Sequence, residues 1–191
     1  WNVETGEVTH PLPGTTDIES VDGYRDCLYV VAEWPDRPST LIEITGDGDR
    51  RILAGPTRAA DGFAAAPEAV WADGPAGPVH SWLYAPEVAK PPMIVLTHGG
   101  PTAMATASYN AATHFWISRG FAVLDVNYSG STGFGRLYRD RLKGQWGELD
   151  VADVAAAVRE VTGRGLADPE RVAITGGSAG VASITIRSSA R

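Results

Sequence analysis

A single cysteine, Cys27, is the only thiol in this 191-residue chain, so no internal disulfide can staple it. It lies in the apolar segment Cys27-Leu28-Tyr29-Val30-Val31 and reads as a buried, unreactive side chain. The 4 histidines share no ligand spacing with it, so no zinc site is indicated and no cofactor is implied. Long apolar runs are missing too. Stretches such as Phe121 to Val126 are far too short to span a bilayer, and no membrane association is expected. Basic residues are outnumbered, 16 against 23 acidic ones, and form no cluster, so nucleic acid is not an expected partner. No charged and then apolar leader opens the chain, whose first residue is Trp1, and a cytoplasmic location is the expectation.

What the chain does have is 43% apolar and 20% charged residues, the balance of a soluble globular protein. Two regions with different patterning follow one another. Residues 1–66 read as all-β: Cys27 to Trp34 and Leu41 to Thr45 are rich in β-branched and aromatic residues. Turn clusters separate them at Asp22-Gly23, Pro35-Asp36-Arg37-Pro38 and Gly46-Asp47-Gly48-Asp49. A Thr-Gly-acid pattern occurs at Thr5-Gly6-Glu7 and again at Thr45-Gly46-Asp47. That interval, about 40 residues, matches one four-stranded propeller blade, although a plain pair of hairpins gives similar signals. An Ala- and Gly-rich linker is expected from Arg58 to Pro67.

Residues 67–191 alternate strand and helix. Glu68 to Ala72 and Val79 to Tyr84 predict a leading hairpin around Gly74-Pro75. Met93 to Thr97 and Phe121 to Val126 are short continuous apolar runs, as in strands covered on both faces. Asn110 to Arg119 predicts a helix stopped by Gly120. Val151, Val154, Ala155, Val158 and Val161 form a stripe at helical spacing, so Asp150 to Thr162 is an amphipathic helix. Arg171 to Thr175 is the last strand. The alternation predicts a mainly parallel α/β sheet with right-handed crossovers.

Gly176-Gly177-Ser178-Ala179-Gly180 follows that last strand directly. A serine among glycines after a buried strand reads as a nucleophile elbow, because the turn is too sharp for side chains. A tight helix–strand packing turn, or a phosphate cradle, is the competing reading. The second motif, His98-Gly99-Gly100-Pro101, closes the strand Met93 to Thr97. In a hydrolase sheet this loop gives one oxyanion N–H and the residue after the nucleophile gives the other. Gly100 and Ala179 are then the donors, and Ser178 is the attacking hydroxyl.

The series His98-Gly99-Gly100-Pro101, Val126 to Gly135, Gly144-Gln145-Trp146-Gly147, Asp150 to Val154, Leu166-Ala167-Asp168-Pro169 and the elbow closely resembles the prolyl oligopeptidase family of serine peptidases. The likeness is nearest to the acylaminoacyl-peptidase-like branch and is dense from about Pro91 to Gly180. It implies a β-propeller before an α/β-hydrolase domain, and cleavage of short peptides. Residues 1–66 are then the last blades of a propeller, and 67–191 the N-terminal part of a peptidase domain ending just after the elbow. Three departures stand out. Ser129 replaces an arginine usual in the family, so the contacts of that cation are lost. Ala179 replaces a common tyrosine, which alters the pocket wall but keeps the backbone donor. After Gly180 the tail Val181 to Arg191 is rich in β-branched residues and serine, poor helix formers, where the family has a helix. A shifted reading frame or premature end near that codon is the expectation.

The triad acid and base follow the serine in this fold, and Ala179 to Arg191 contains no Asp, Glu or His. His98 and His114 precede Ser178; His98 belongs to the oxyanion loop, and His114 reads as helix packing beside Phe115 and Trp116. His10 and His80 read as structural. Asp150 and Asp153 read as a solvated helix face favoured by the helix dipole, while Asp125 inside a buried strand is unusual. No acid or base is therefore assigned. The expectation is an incomplete serine peptidase with negligible turnover by itself. An esterase or lipase of the same fold, and a non-catalytic fragment pairing through exposed β-edges, are the alternatives.

Overall fold

The computed structural model describes residues 4–56, 66–100, 102–178 and 180. Most of the expected linker, at 57–65, and the tail after Gly180 lie outside them. The chain divides into two compact units, one within residues 1–64 that also takes in 107–110, the other within 65–106 and 111–191.

In the first unit four strands form an antiparallel meander: β1 (Asp17–Tyr24), β2 (Cys27–Glu33), β3 (Thr40–Thr45) and β4 (Arg50–Ala54). That is the size and connectivity of one propeller blade. Alternation decides which side is covered: Val30, Ala32 and Trp34 of the β2 stretch meet Ile42 and Ile44 of β3, with Leu12 against them. The Asp22-Gly23 pair, expected as a turn, lies inside β1 instead; the reversal occurs at Arg25, whose φ is 54°. Strand pairing through Gly23↔Leu28 and Tyr24↔Cys27 overrides the local turn preference. Cys27 is partly exposed rather than buried. The two Thr-Gly-acid copies share a local device. In each, the threonine hydroxyl accepts a nearby backbone N–H, from Glu7 to Thr5 and from Asp49 to Thr45. Only the second copy joins two strands; the first precedes β1 in a turn.

The second unit contains β5 (Glu68–Gly74), β6 (Gly77–Tyr84), β7 (Met93–Thr97), α1 (Ala111–Ile117), β8 (Ala122–Asn127), α2 (Arg136–Asp140), α3 (Leu149–Gly163) and β9 (Val172–Gly176). Its sheet has the order β5-β6-β8-β7-β9. The leading hairpin is antiparallel, β6 pairs antiparallel with β8, and β8-β7-β9 are parallel. Four strands thus share one direction and β6 alone is reversed. Every expected strand of this unit forms within a residue or two of its expected bounds; α2 was not expected. The core lies on one face, where Val79, Leu83, Val95, Leu124 and Val126 meet Val154, Ala157 and Val161 of α3. Burial of such side chains stabilises by about 1.5–3 kcal/mol each and holds the sheet flat against its helix.

The strand order positions the site. From β7 the chain crosses to β8 on one side, then to β9 on the other. Between β7 and β9 it therefore has a topological switch point, and open α/β sheets bind ligands at the carboxyl ends of the strands flanking such a point. His98 and Gly177 begin the loops at those two ends.

Asp125 sits mid-strand in β8, in register with Trp82 of β6 and Leu96 of β7. Burial pushes its carboxyl up to about 7. An exposed carboxyl loses its proton near pH 4, so between about pH 4 and 7 unfolding releases a proton and stability falls as pH rises. Asp125→Asn removes that slope. Urea unfolding should find the variant no more stable than the parent at pH 4 and at least about 1 kcal/mol more stable at pH 8; equal stability at both pH values would contradict this placement.

Candidate active site

Ser178 follows β9 after one glycine and has φ 52°, a left-handed conformation that a non-glycine residue adopts at a cost. It is exposed. The turn closes through Gly180 N–H donating to the Gly177 carbonyl at 3.0 Å. Strain of this kind is what a sharp strand-to-loop elbow requires, and it lifts the hydroxyl clear of the sheet.

Glycine is dictated at several neighbouring positions. A Cβ on Gly176 would collide with Thr97 Oγ1 and lie 2.9 Å from the Thr97 carbonyl. One on Gly180 would overlap the Thr97 carbonyl and come within 3.0 Å of the His98 carbonyl. One on Gly99 would sit 3.3 Å from Ser178 Cβ and 3.2 Å from the Gly177 carbonyl. The elbow and the His98-Gly99-Gly100 loop are therefore in van der Waals contact, backbone to backbone. Thr97 Oγ1 reinforces this by donating to the Gly180 carbonyl at 3.0 Å.

The loop is fixed from below. Tyr128, fully buried at the end of β8, donates its hydroxyl to the His98 carbonyl at 2.9 Å and lies 3.4 Å from that of Gly100. Its ring stacks on the His98 imidazole, centroids 4.5 Å apart. Ser131 Oγ donates to the Tyr128 carbonyl at 2.7 Å, so it accepts from His98 Nε2–H at 2.8 Å. Burial lowers the His98 pKa, against the opposing pull of the Gly99 and Gly100 carbonyls, and so favours the neutral ring. The other nitrogen, Nδ1, carries no proton in this tautomer and lies 3.3 Å from the Gly99 carbonyl without donating to it. In a trans peptide C=O and N–H point oppositely. With the Gly99 carbonyl turned to the imidazole, the Gly100 N–H points away from it. Asn127 anchors the far end, accepting from Ala105 N–H at 2.7 Å and donating to the Ala105 carbonyl at 3.0 Å. A pocket of about 330 Å3 opens beside this loop, lined by Thr102, Gly130, Leu142 and Trp146, with Arg139 and Lys143 at its edge.

Of the residues expected from sequence, Ser178 is brought against Gly99, while the Cβ position of Gly100 has nothing within 4 Å. Ala179 lies outside the described residues, as does Pro101. His114 is buried in α1, and His80 is packed among Trp71, Trp82 and Phe134. Asp150 and Asp153 need correction. Both were expected on a solvated helix face, yet they are 1% and 0% exposed. The helix turns that face inward because Leu149, Val154 and Ala157 must reach the sheet. Tyr128 and Ser131 are the contacts that sequence reasoning missed as supports of the loop. Among the described residues no group of three or more potential ligands could hold a metal, and no helix is long and apolar enough to cross a membrane.

The prolyl oligopeptidase family pattern matches residues 107–186. Acylamino-acid-releasing enzyme 1 of Oryza sativa subsp. japonica is 44% identical over 89 residues, 47% of this chain and 12% of that enzyme. The solved puromycin-hydrolyzing peptidase of Mycobacterium tuberculosis superposes with a TM-score of 0.87 at 33% identity, over 97% of this chain and 32% of its own. Over this stretch the chain resembles the prolyl oligopeptidase family. Another similar structure, Pyrococcus horikoshii acylaminoacyl peptidase, has a TM-score of 0.77 at 26% identity and matches 96% of this chain. The chain thus spans about a third or less of the length of these relatives. Prolyl oligopeptidase relatives of this kind combine a β-propeller with an α/β-hydrolase domain, and the two sheets here match one element of each.

The glycine contacts yield a contrast between adjacent positions. Gly176→Ala should cost about 1–3 kcal/mol by overpacking. Gly177→Ala, with nothing within 4 Å of the added carbon, should cost less than about 0.5 kcal/mol. Denaturant unfolding of the two variants checks this, and equal costs would contradict the described approach of elbow and loop.

Proposed function

We propose that this chain carries the nucleophile half of a serine-peptidase site acting on short peptides, with Ser178 as the attacking hydroxyl. The backbone N–H groups of Gly100 and Ala179 are the oxyanion donors, each worth roughly 3–4 kcal/mol in the transition state. The observation that carries the reading is the contact of a strained, exposed Ser178 with Gly99, at the switch point of the sheet. Residues 1–66 are read as a propeller blade and 67–191 as the first part of the hydrolase domain. Relatives named for releasing acylated amino acids and hydrolysing puromycin point to amide bonds as the substrate class.

In the reaction, Ser178 Oγ bonds to the scissile carbonyl carbon as a histidine takes its proton. The tetrahedral oxyanion is held by the two N–H groups, and collapse expels the amine, which receives the proton. Water then attacks the acyl-enzyme by the same route in reverse. No histidine of this chain is a base in this scheme. Burial favours a neutral His98, but its ring is spent on Ser131 and Tyr128, and its task is to shape the loop. No Asp, Glu or His follows Ser178 in the residues given, so no acid or base is assigned among them.

Splicing the segment that follows the elbow in rice acylamino-acid-releasing enzyme 1 onto Gly180 tests this. The chimera should react with a fluorophosphonate at Ser178 and cleave acyl-peptides, and Ser178→Ala should abolish both. The chain alone should label at least about 10³-fold more slowly. Rapid labelling of the chain alone would contradict the missing base, and a chimera that cleaves acyl esters but no peptide would overturn the peptidase reading in favour of an esterase.

A further inference from the structure

Three polar side chains with no role in the proposed chemistry meet beneath Tyr128. Asp150 and Asp153, one turn apart on α3, share a face. Asp153 Oδ2 accepts the Ser129 N–H at 2.8 Å. The other oxygen of Asp153, one oxygen of Asp150 and the Ser129 hydroxyl are all buried without a hydrogen-bond partner among the described residues. Ser129 and Asp153 are 0% exposed and Asp150 is 1% exposed. The charge of Asp150 bears on both Asp153 and the Tyr128 phenol, so the groups form one cluster.

A poorly compensated buried carboxylate is among the costliest features a fold can carry, and burial pushes the Asp153 carboxyl up, an effect that its hydrogen bonds and the Arg141 charge offset only in part. Arg141 is the described cation whose charge acts on Asp153. Its guanidinium is committed elsewhere, donating to the Pro78 carbonyl at 2.8 Å and lying over the Tyr138 ring. The unpartnered atoms are all acceptors or hydroxyl, so what they lack is an N–H donor bearing positive charge.

We propose that Ser129, Asp150 and Asp153 form a buried cation site that takes a guanidinium-type ion. A planar fork of N–H groups can serve both carboxylates and the hydroxyl at once, and guanidinium is more weakly hydrated than a compact ammonium ion. The cluster has only two carboxylates, and among the described residues no group of three or more potential ligands could hold a metal. Ser129 has a short, neutral side chain, so this chain brings no cation to the carboxylates from that position. Ser129 precedes Gly130 and follows Tyr128 in the chain, so an occupied site also braces the residue that holds the His98 and Gly100 carbonyls.

Thermal unfolding of the whole chain at pH 7.5 in 0–20 mM guanidinium chloride, with sodium chloride keeping chloride constant, tests the site. The expected result is a saturable rise in the unfolding midpoint, about 3 °C per tenfold increase above half-saturation. Denaturation by guanidinium is negligible at these concentrations. Ser129→Arg should raise the midpoint without added ion and remove the response, while Ser129→Gln, neutral and nearly as long, should do neither. Hydrogen exchange at the Ser129 amide should slow at least threefold when the ion is bound. No rise with guanidinium beyond that with sodium would overturn the proposal, as would equal stabilisation by Ser129→Gln, which would mean that filling space suffices.

Discussion

The structure turns on a contact between two stretches of bare backbone. Thr97 to Gly99, leaving β7, and Gly176 to Gly180, leaving β9, approach so closely that a methyl group at Gly176 or Gly180 would overlap Thr97. No hydrophobic residue could occupy those places. The parallel pairing of β7 with β9, from Met93↔Val172 to Thr97↔Gly176, brings the two ends level. The glycines then let the loops touch. Ser178 stands at the crest of this contact in a conformation the surrounding turn imposes.

A polar layer on β8 fixes what the glycines leave free. A glycine pair is permissive, and in isolation it would sample many conformations. Tyr128 removes that freedom by donating to loop carbonyls from beneath, and Ser131 removes it from His98 by holding one imidazole nitrogen. Asn127 does the same for Ala105 further along. Each partner is contributed by the segment Val126 to Ser131, so one stretch of sequence organises the whole loop. The same stretch contains Ser129, whose N–H donates to Asp153 but whose side chain brings no cation to Asp150 and Asp153. Rigidity above and an unbalanced charge below therefore have a common origin.

Much of this was legible in the residues. Continuous apolar runs gave β7 and β8, helical spacing of valines gave α3, and glycine-flanked Ser178 after Thr175 gave the elbow. These signals are local, and each element's own pattern agrees with its place in the sheet. The failures are non-local. Asp22-Gly23 has turn chemistry, but pairing with β2 draws it into a strand. Asp150 and Asp153 have the position of helix-dipole carboxylates, and only the sheet's demand on the neighbouring valines and alanines reveals that they point inward. The expectation that Ser129 stands where the resembled family has arginine was the one trace of this in the sequence. Support of the glycine loop by Tyr128 had no trace at all, since register between β7 and β8 creates it.

The chain thus combines a four-stranded antiparallel sheet with a mainly parallel one, and the proposed chemistry depends on how closely the Ser178 turn meets the glycine loop. Nuclear Overhauser spectroscopy on chain labelled at glycine and serine measures this distance directly. Cross-peaks between the Gly99 α-protons and the Ser178 β-protons are expected, as a Cβ on Gly99 would lie 3.3 Å from that of Ser178. Their absence, with Ser178 instead showing contacts to the apolar face covered by α3, would contradict the account.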